Sequence, residues 1–204
     1  SLTSITIPDS VTSIDGEAFY GCSSLPGFTI PDSVVEIKSG TFEACSNLTN
    51  ITIHDSVTSI GNQAFYQCGA LLSVSIPNSV ESIGVNAFSD CSLLNSVTIG
   101  TSVETIGDSA FYNCAITNIT IPDSVKSIGE NAFSYNKITS VIIPNSVTNI
   151  GKYAFYGNLL TSVVIPNSVK TIGYKAFNQN KLTNVTIPNS VTGIGRDVSV
   201  SYTH

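Results

Sequence analysis

Ile121-Pro122-Asp123-Ser124-Val125-Lys126-Ser127-Ile128-Gly129-Glu130-Asn131-Ala132-Phe133 is one copy of a segment that recurs along the whole chain. The first residue of that segment falls in step at Ile7, Ile30, Ile53, Ile76, Ile99, Ile121, Ile143, Ile165 and Ile187, spaced by 23 residues four times and then by 22 four times. Phe19, Phe42, Phe65, Phe88, Phe111, Phe133, Phe155 and Phe177 keep the same beat. Self-similarity at a fixed short period marks a stack of like units, so it is read before any local propensity.

An aligned unit reads L-x-x-I-x-I-P-D/N-S-V-x-x-I-G-x-x-A-F-x-x-C/N. Its opening, as in Leu182, Val185 and Ile187, ends in period-2 alternation and predicts a short strand with one buried face. Proline then ends the strand, because it has no N–H to give a ladder. Val125 and Ile128 put two more apolar residues inward, Gly129 permits a turn, and Asn131-Ala132-Phe133 suits one short helical or 3-10 turn. No unit can bury its apolar residues alone. Stacked units can, around a continuous core and a parallel sheet with one strand per turn. At strand spacing of roughly 4.8 Å, eight to nine turns make a body about 40 Å long.

In these segments, nine times in register, the chain resembles the BspA-like branch of the leucine-rich-repeat family, over about residues 1–195. The resemblance implies an α/β fold: a right-handed solenoid whose parallel sheet lines a concave face, with short helical or 3-10 turns and loops on the convex side. It also implies a protein of bacterial or protist cell surfaces, or a secreted one, linked to adhesion. The expected organisation is about nine units of 22–23 residues over 1–195, with a seam near 114–124, then a tail or minimal cap over 196–204. Leu2 opens a repeat without a polar cap, so further repeats or another domain are expected before Ser1.

Composition narrows the function. The chain has 204 residues, 42% of them apolar and 11% charged, so neutral Ser, Thr and Asn rather than charge give it a polar surface. Its net charge of −6 argues against nucleic acid as a partner, which needs a basic surface. No apolar run approaches the roughly 18–20 residues of a membrane span, and no signal peptide opens this chain. The charge is uneven: residues 1–124 carry 12 acidic groups and one basic group (Lys38), a net of −11, and residues 125–204 carry two acidic and seven basic groups, a net of +5.

The cysteines fall in one column. Cys22, Cys45, Cys68, Cys91 and Cys114 occupy one slot in five successive units, and Asn136, Asn158 and Asn180 fill it in the next three. That slot resembles the ladder position of leucine-rich repeats, where Asn satisfies backbone groups and Cys is a small hydrophobe with a weak donor. Buried reduced thiols are expected, since one Cys per coil with no C-x-x-C pair suits neither a metal nor a redox site. The swap to Asn accompanies a loop one residue shorter, although the Cys114 unit already has the shorter loop.

Catalytic groups are not evident. Only His54 and His204 occur, and no Ser/His/Asp set, phosphate loop or zinc spacing appears. The Ser of P-D/N-S recurs in every unit, as a turn residue does and a nucleophile has no reason to. The column Asp9, Asp32, Asp55, Asn78, Asp123, Asn145, Asn167, Asn189 could hold calcium, but free exchange of Asp with Asn favours a turn role. Asn-x-Ser/Thr triplets at Asn47, Asn50, Asn118 and Asn184 are what chance gives in such a composition. Tyr20, Tyr66, Tyr112 and Tyr156 follow the core Phe and could form a lectin-like aromatic row, but Glu43, Ser89, Ser134 and Asn178 interrupt them, and packing between loops is the preferred role.

The candidate site is the outward row of the strands: Asn50, Thr52, Ser73, Ser75, Ser96, Thr98, Asn118, Thr120, Ile142 and Val164. It is small and polar and lacks the Trp, Tyr and Arg anchors of hot spots, with Ile142 and Val164 as its apolar exception. The sequence therefore points to a non-catalytic surface recognition or adhesion module for a protein partner, such as extracellular matrix, with no cofactor and no metal. The alternative is a structural spacer, or a segment that self-associates head to tail through its oppositely charged ends.

Overall fold

The computed structural model describes residues 2–198. The last residues of the expected tail, 199–204, with His204, lie outside the described residues. Among the described residues there are twelve short strands: β1 (Gly27–Thr29), β2 (Glu36–Ile37), β3 (Asn50–Thr52), β4 (Ser59–Ile60), β5 (Ser73–Ser75), β6 (Ser82–Ile83), β7 (Ser96–Thr98), β8 (Thr105–Ile106), β9 (Ser127–Ile128), β10 (Asn149–Ile150), β11 (Thr171–Ile172) and β12 (Gly193–Ile194). The chain is a parallel β-solenoid, each turn pairing with the next. β2, β4, β6, β8, β9, β10, β11 and β12 form one sheet of eight strands in that spatial order, seven steps from end to end.

That sheet is not where the sequence places one. The predicted strand, L-x-x-I-x-I, pairs only in pieces, β1 with β3 and β5 with β7, and the isolated bridge between Ser96 and Asn118 follows them. The continuous sheet is built from the two residues before the repeated Gly. The glycine explains it. A Cβ on Gly129 would stand 2.6 Å from the backbone carbon of Gly107, and one on Gly151 2.5 Å from that of Gly129. Real Cβ atoms do not approach so closely, so only Gly lets successive coils pair here. Its φ is not positive; Gly129 serves close approach, not the turn expected of it.

The short helical or 3-10 turns, and with them the α/β class, are not what the chain forms: there is no helix among the described residues. Around Phe133 the donors alternate. Asn131, Phe133 and Tyr135 give their N–H to Lys152, Ala154 and Tyr156 carbonyls of the next coil at 2.8 Å each, while Ser134 closes back on Asn131 at 3.0 Å. A helix needs every donor within its own segment; here every second one holds the stack. The geometry requires two left-handed residues per unit. One column runs Glu17, Gly40, Gln63, Asn86, Ser109, Asn131, Tyr153, Lys175, Asp197, with φ from 52° at Lys175 to 65° at Gly40. The other runs Gly21, Ala44, Gln67, Asp90, Asn113, Tyr135, Gly157, Gln179, with φ from 53° at Asn113 to 67° at Gly157. Each non-glycine residue there costs of the order of 1–2 kcal/mol, least for Asn and Asp.

The core runs the length of the stack. Phe19, Phe42, Phe65, Phe88, Phe111, Phe133, Phe155 and Phe177 stack ring on ring, with centroids 4.9–5.5 Å apart and planes within 12° of parallel. Those separations exceed a face-to-face contact, so the rings are offset, as their quadrupoles prefer. The repeated Val and Ile fill the rest, most of them fully buried.

The Cys/Asn column follows a rule of loop length. In the longer units the loop closes on itself: Leu48, Leu71 and Leu94 give their N–H to the Cys45, Cys68 and Cys91 carbonyls at 2.9–3.0 Å. The shorter units lack the residue that makes this turn. There Ile116, Ile138 and Leu160 bond instead to Oδ1 of Asn136, Asn158 and Asn180, in the next coil, at 3.0 Å each. Each Asn also gives Nδ2 to the Phe carbonyl one coil back, 2.8 Å in all three cases. So the loop length of one coil sets the ladder residue of the next. Cys114 stands after a long loop and before a short one, which removes the apparent exception. Cys45, Cys68, Cys91 and Cys114 each give S–H to a Phe carbonyl at 3.1–3.2 Å, and all five cysteines are free thiols.

Candidate functional site

The strand row lies outward along its whole length. Asn50, Thr52, Ser73, Ser75, Ser96, Thr98, Asn118 and Thr120 are exposed, alternating with buried residues such as Val74 and Val97. From residue 119 on, the alternation persists without the ladder, as in Val141-Ile142-Ile143. Ile142 is 83% and Val164 79% exposed, more than any other large apolar residue described. Asn118, Thr120 and Ile142 come together with Ser140 around a shallow groove of about 400 Å³ floored by Val97, Ile119 and Val141. The remaining residues of the row lie along the same outward face but outside this groove.

The other repeated polar residues are occupied by the fold. Val11, Val34, Val80 and Val125 close the P-D/N-S-V turn by donating N–H to the preceding Pro at 3.0–3.2 Å. Ser33, Ser79 and Ser124 give their hydroxyls to Val carbonyls of the coil before at 2.6 Å. In the same place the hydroxyl oxygens of Ser146, Ser168 and Ser190 are buried without a partner. No group of His, Cys, Asp and Glu suited to a metal occurs among the described residues. His54, in place of the strand-ending Pro, pairs with Asp32 at 2.6 Å. Lys38 pairs with Asp15 at 2.7 Å, and that pairing holds the carboxyl below its ordinary value. Lys126 and Lys152 reach Glu104 and Glu130 in the same coil-to-coil fashion. Such exposed pairs contribute little.

A second groove, of about 660 Å³, opens on the turns that carry the core Phe. Here the tyrosines are not the interrupted column that the sequence suggests. Tyr112, Tyr135, Tyr156, Tyr153 and Tyr174 form one unbroken file, with successive centroids 5.6, 5.3, 5.4 and 5.2 Å apart and planes 76–89° to one another. Where Ser134 breaks the column, Tyr135 at a left-handed position stands in; Tyr153, at the other left-handed position, extends the file from Tyr156, and Tyr174, which follows the repeated Gly173, ends it. A search of one column misses this; overlaying the two left-handed columns and the position after the repeated Gly would have found it. Asn86, Asn131, Gln63 and Asp90 lie along the file, and Lys175 stands 5.1 Å over the Tyr174 ring. Desolvation, then the neighbouring phenols, raises the pKa of Tyr112, Tyr153 and Tyr156, so these hydroxyls stay protonated donors at neutral pH.

Residues 1–114 and 94–199 match the family described as BspA type leucine rich repeat region, in six copies. The fold is similar to a leucine rich cell surface protein from Faecalibacterium prausnitzii, at 34% identity and a TM-score of 0.67, over 94% of this chain and 56% of that one. The chain thus spans little more than half the length of that relative. It is similar in fold to the pneumococcal vaccine antigen PcpA, at 21% identity and a TM-score of 0.59, over 98% of this chain and 68% of that one. A leucine-rich repeat protein from Eubacterium ventriosum matches over 73% of this chain and 50% of its own, at 22% identity and a TM-score of 0.52. No protein of curated function matches.

Proposed function

The chain belongs to the BspA-type leucine-rich-repeat family, and from that premise we propose that it is a non-catalytic recognition module, displayed at a cell surface or secreted, that binds a protein partner of the extracellular matrix or another cell through its strand face. The observation that carries this is the pair Ile142 and Val164, at 83% and 79% exposure in a row otherwise made of Ser, Thr and Asn. They stand one coil apart beside the groove lined by Asn118, Thr120 and Ser140. A partner that covers both removes two aliphatic side chains from water, worth about 1.5–3 kcal/mol each when fully buried, and finds hydroxyls and amides around them for a polar rim. The small residues on either side let a partner's backbone come close. Family members of similar fold include a cell surface protein, which supports the location. No helix among the described residues is long and apolar enough to cross a membrane.

Binding of the chain to immobilised fibronectin and fibrinogen, with Ile142→Asp/Val164→Asp in parallel, tests the proposal. Saturable binding that the double variant loses is the expected result. Equal binding by both proteins would place the contact elsewhere. The uneven charge, −11 against +5, favours a second reading, a self-associating spacer. Sedimentation at low and high salt separates the two. Head-to-tail association between opposite charges weakens as salt screens them, whereas contact through Ile142 and Val164 does not.

A further inference from the structure

We propose that the tyrosine groove is a second binding site, independent of the strand face, for an oligosaccharide of neutral pyranose units. The aliphatic C–H face of a pyranose carries a slight positive charge and packs on the negative face of an aromatic ring, while its hydroxyls need donors and acceptors set beside that ring. The groove provides both in register. Its rings meet their neighbours edge to face at 76–89°, so an edge contact on one side leaves ring surface open to solvent; Tyr135 is 46% exposed. The amides of Asn86 and Asn131 and the Asp90 carboxylate line the same groove as the rings. Asp90 is held in place by Nδ2 of Asn113 at 2.7 Å, which leaves its second oxygen for a pair of adjacent hydroxyls.

The alternatives fit less well. A peptide strand needs a free backbone edge, and the groove backbone has none: Asn86, Ser109, Asn131 and Tyr153 give their N–H to the next coil at 2.7–2.9 Å. A side-chain anchor needs a closed, desolvated pocket, and this groove is open, with Asn86, Asp90 and Asn131 beside its rings. An anionic glycan needs clustered cations, and the groove lining holds one, Lys175, already over the Tyr174 ring. The backbone adds a further point. Tyr135 and Tyr153 occupy left-handed positions that Gly157 and Gly40 fill elsewhere without strain. That conformation recurs in every unit whatever the residue, but at these two positions it sets rings that join Tyr112 to Tyr156 and Tyr174 in one file.

The test is titration of the whole chain with cellohexaose, maltohexaose, xylohexaose, mannohexaose and chitohexaose, by calorimetry and by tyrosine fluorescence, which no Trp masks. Saturable, salt-insensitive binding to at least one is expected. Tyr135→Ala/Tyr156→Ala should weaken it about tenfold or more, as two lost ring contacts would. Tyr20→Ala, outside the groove, and Ile142→Asp/Val164→Asp should bind as the parent does, and thermal melts report that each variant folds. No binding to any of the five sugars overturns the proposal, as does unchanged binding by the tyrosine double variant. Loss of matrix-protein binding in that variant, with no sugar bound, would make the groove a protein contact and equally overturn it.

Discussion

Replacing Asn136 by Cys tests the rule that loop length in one coil dictates the ladder residue of the next. Asn136 Oδ1 is the acceptor for the N–H of Ile116, a fully buried residue, at 3.0 Å. A cysteine keeps a donor for the Phe111 carbonyl but returns no acceptor to that N–H. Leaving a buried donor unpaired costs about 1–3 kcal/mol, or roughly 2–12 °C in Tm for a chain of this size. The reverse change, Cys114→Asn, brings no gain, because Leu94 N–H already bonds to the Cys91 carbonyl at 2.9 Å. The decisive arm is a rescue: one Ser inserted after Cys114 lengthens that loop, lets Ile116 close on its own turn as Leu94 does, and makes Asn136 dispensable. Urea unfolding of the four proteins in this double-mutant cycle gives the coupling directly. The account expects Asn136→Cys to be costly in the short loop and within about 0.5 kcal/mol of neutral in the long one. An equal cost in both loops would refute it.

Phe88→Ala, which empties a fully buried site between Phe65 at 4.9 Å and Phe111 at 5.3 Å, should cost about 3–5 kcal/mol by chemical denaturation; Tyr112→Ala should cost far less. Gly151→Ala would set a Cβ 2.5 Å from the Gly129 backbone and should destabilise by about 1–3 kcal/mol or more, seen as a lowered melting temperature. Native alkylation at neutral pH should modify Cys22, which is partly exposed, well before the four buried thiols. Desolvation pushes Cys45 up to about 11 and Cys114 to about 12 from an ordinary 9.0. Unfolding therefore releases protons above pH 9.0, so stability present below that value falls as pH rises toward the folded-state pKa. Denaturation at stepped pH should show a shallower fall in Cys45→Ala/Cys114→Ala.

Periodicity made the coil, its core columns and its outward row legible, because a residue that recurs at every turn must meet its own copies. Features that depend on the backbone between those columns were not. Glu17, Gln63 and Lys175 have no preference for the left-handed conformation they adopt, so nothing in them announced turns in place of a helix. A strand of two residues, such as Ser127–Ile128, is too short for alternation to signal it. The tyrosine file draws on four columns, and the Asn rule links residues one coil apart, so neither appears in any single column. For the site, Ile142 and Val164 stood out in the sequence as the lone apolar pair on a polar row, whereas the groove of Tyr112, Tyr135 and Tyr153 emerged only when the coils were stacked.

Hydrogen–deuterium exchange, with and without a saturating matrix protein, tests most directly the claim that the strand face is the working surface. The account expects slowed exchange over 96–98, 118–120, 140–142 and 162–164, and unchanged exchange in the turns that carry the tyrosines. Protection confined to those turns, or to the ends of the stack, would contradict it.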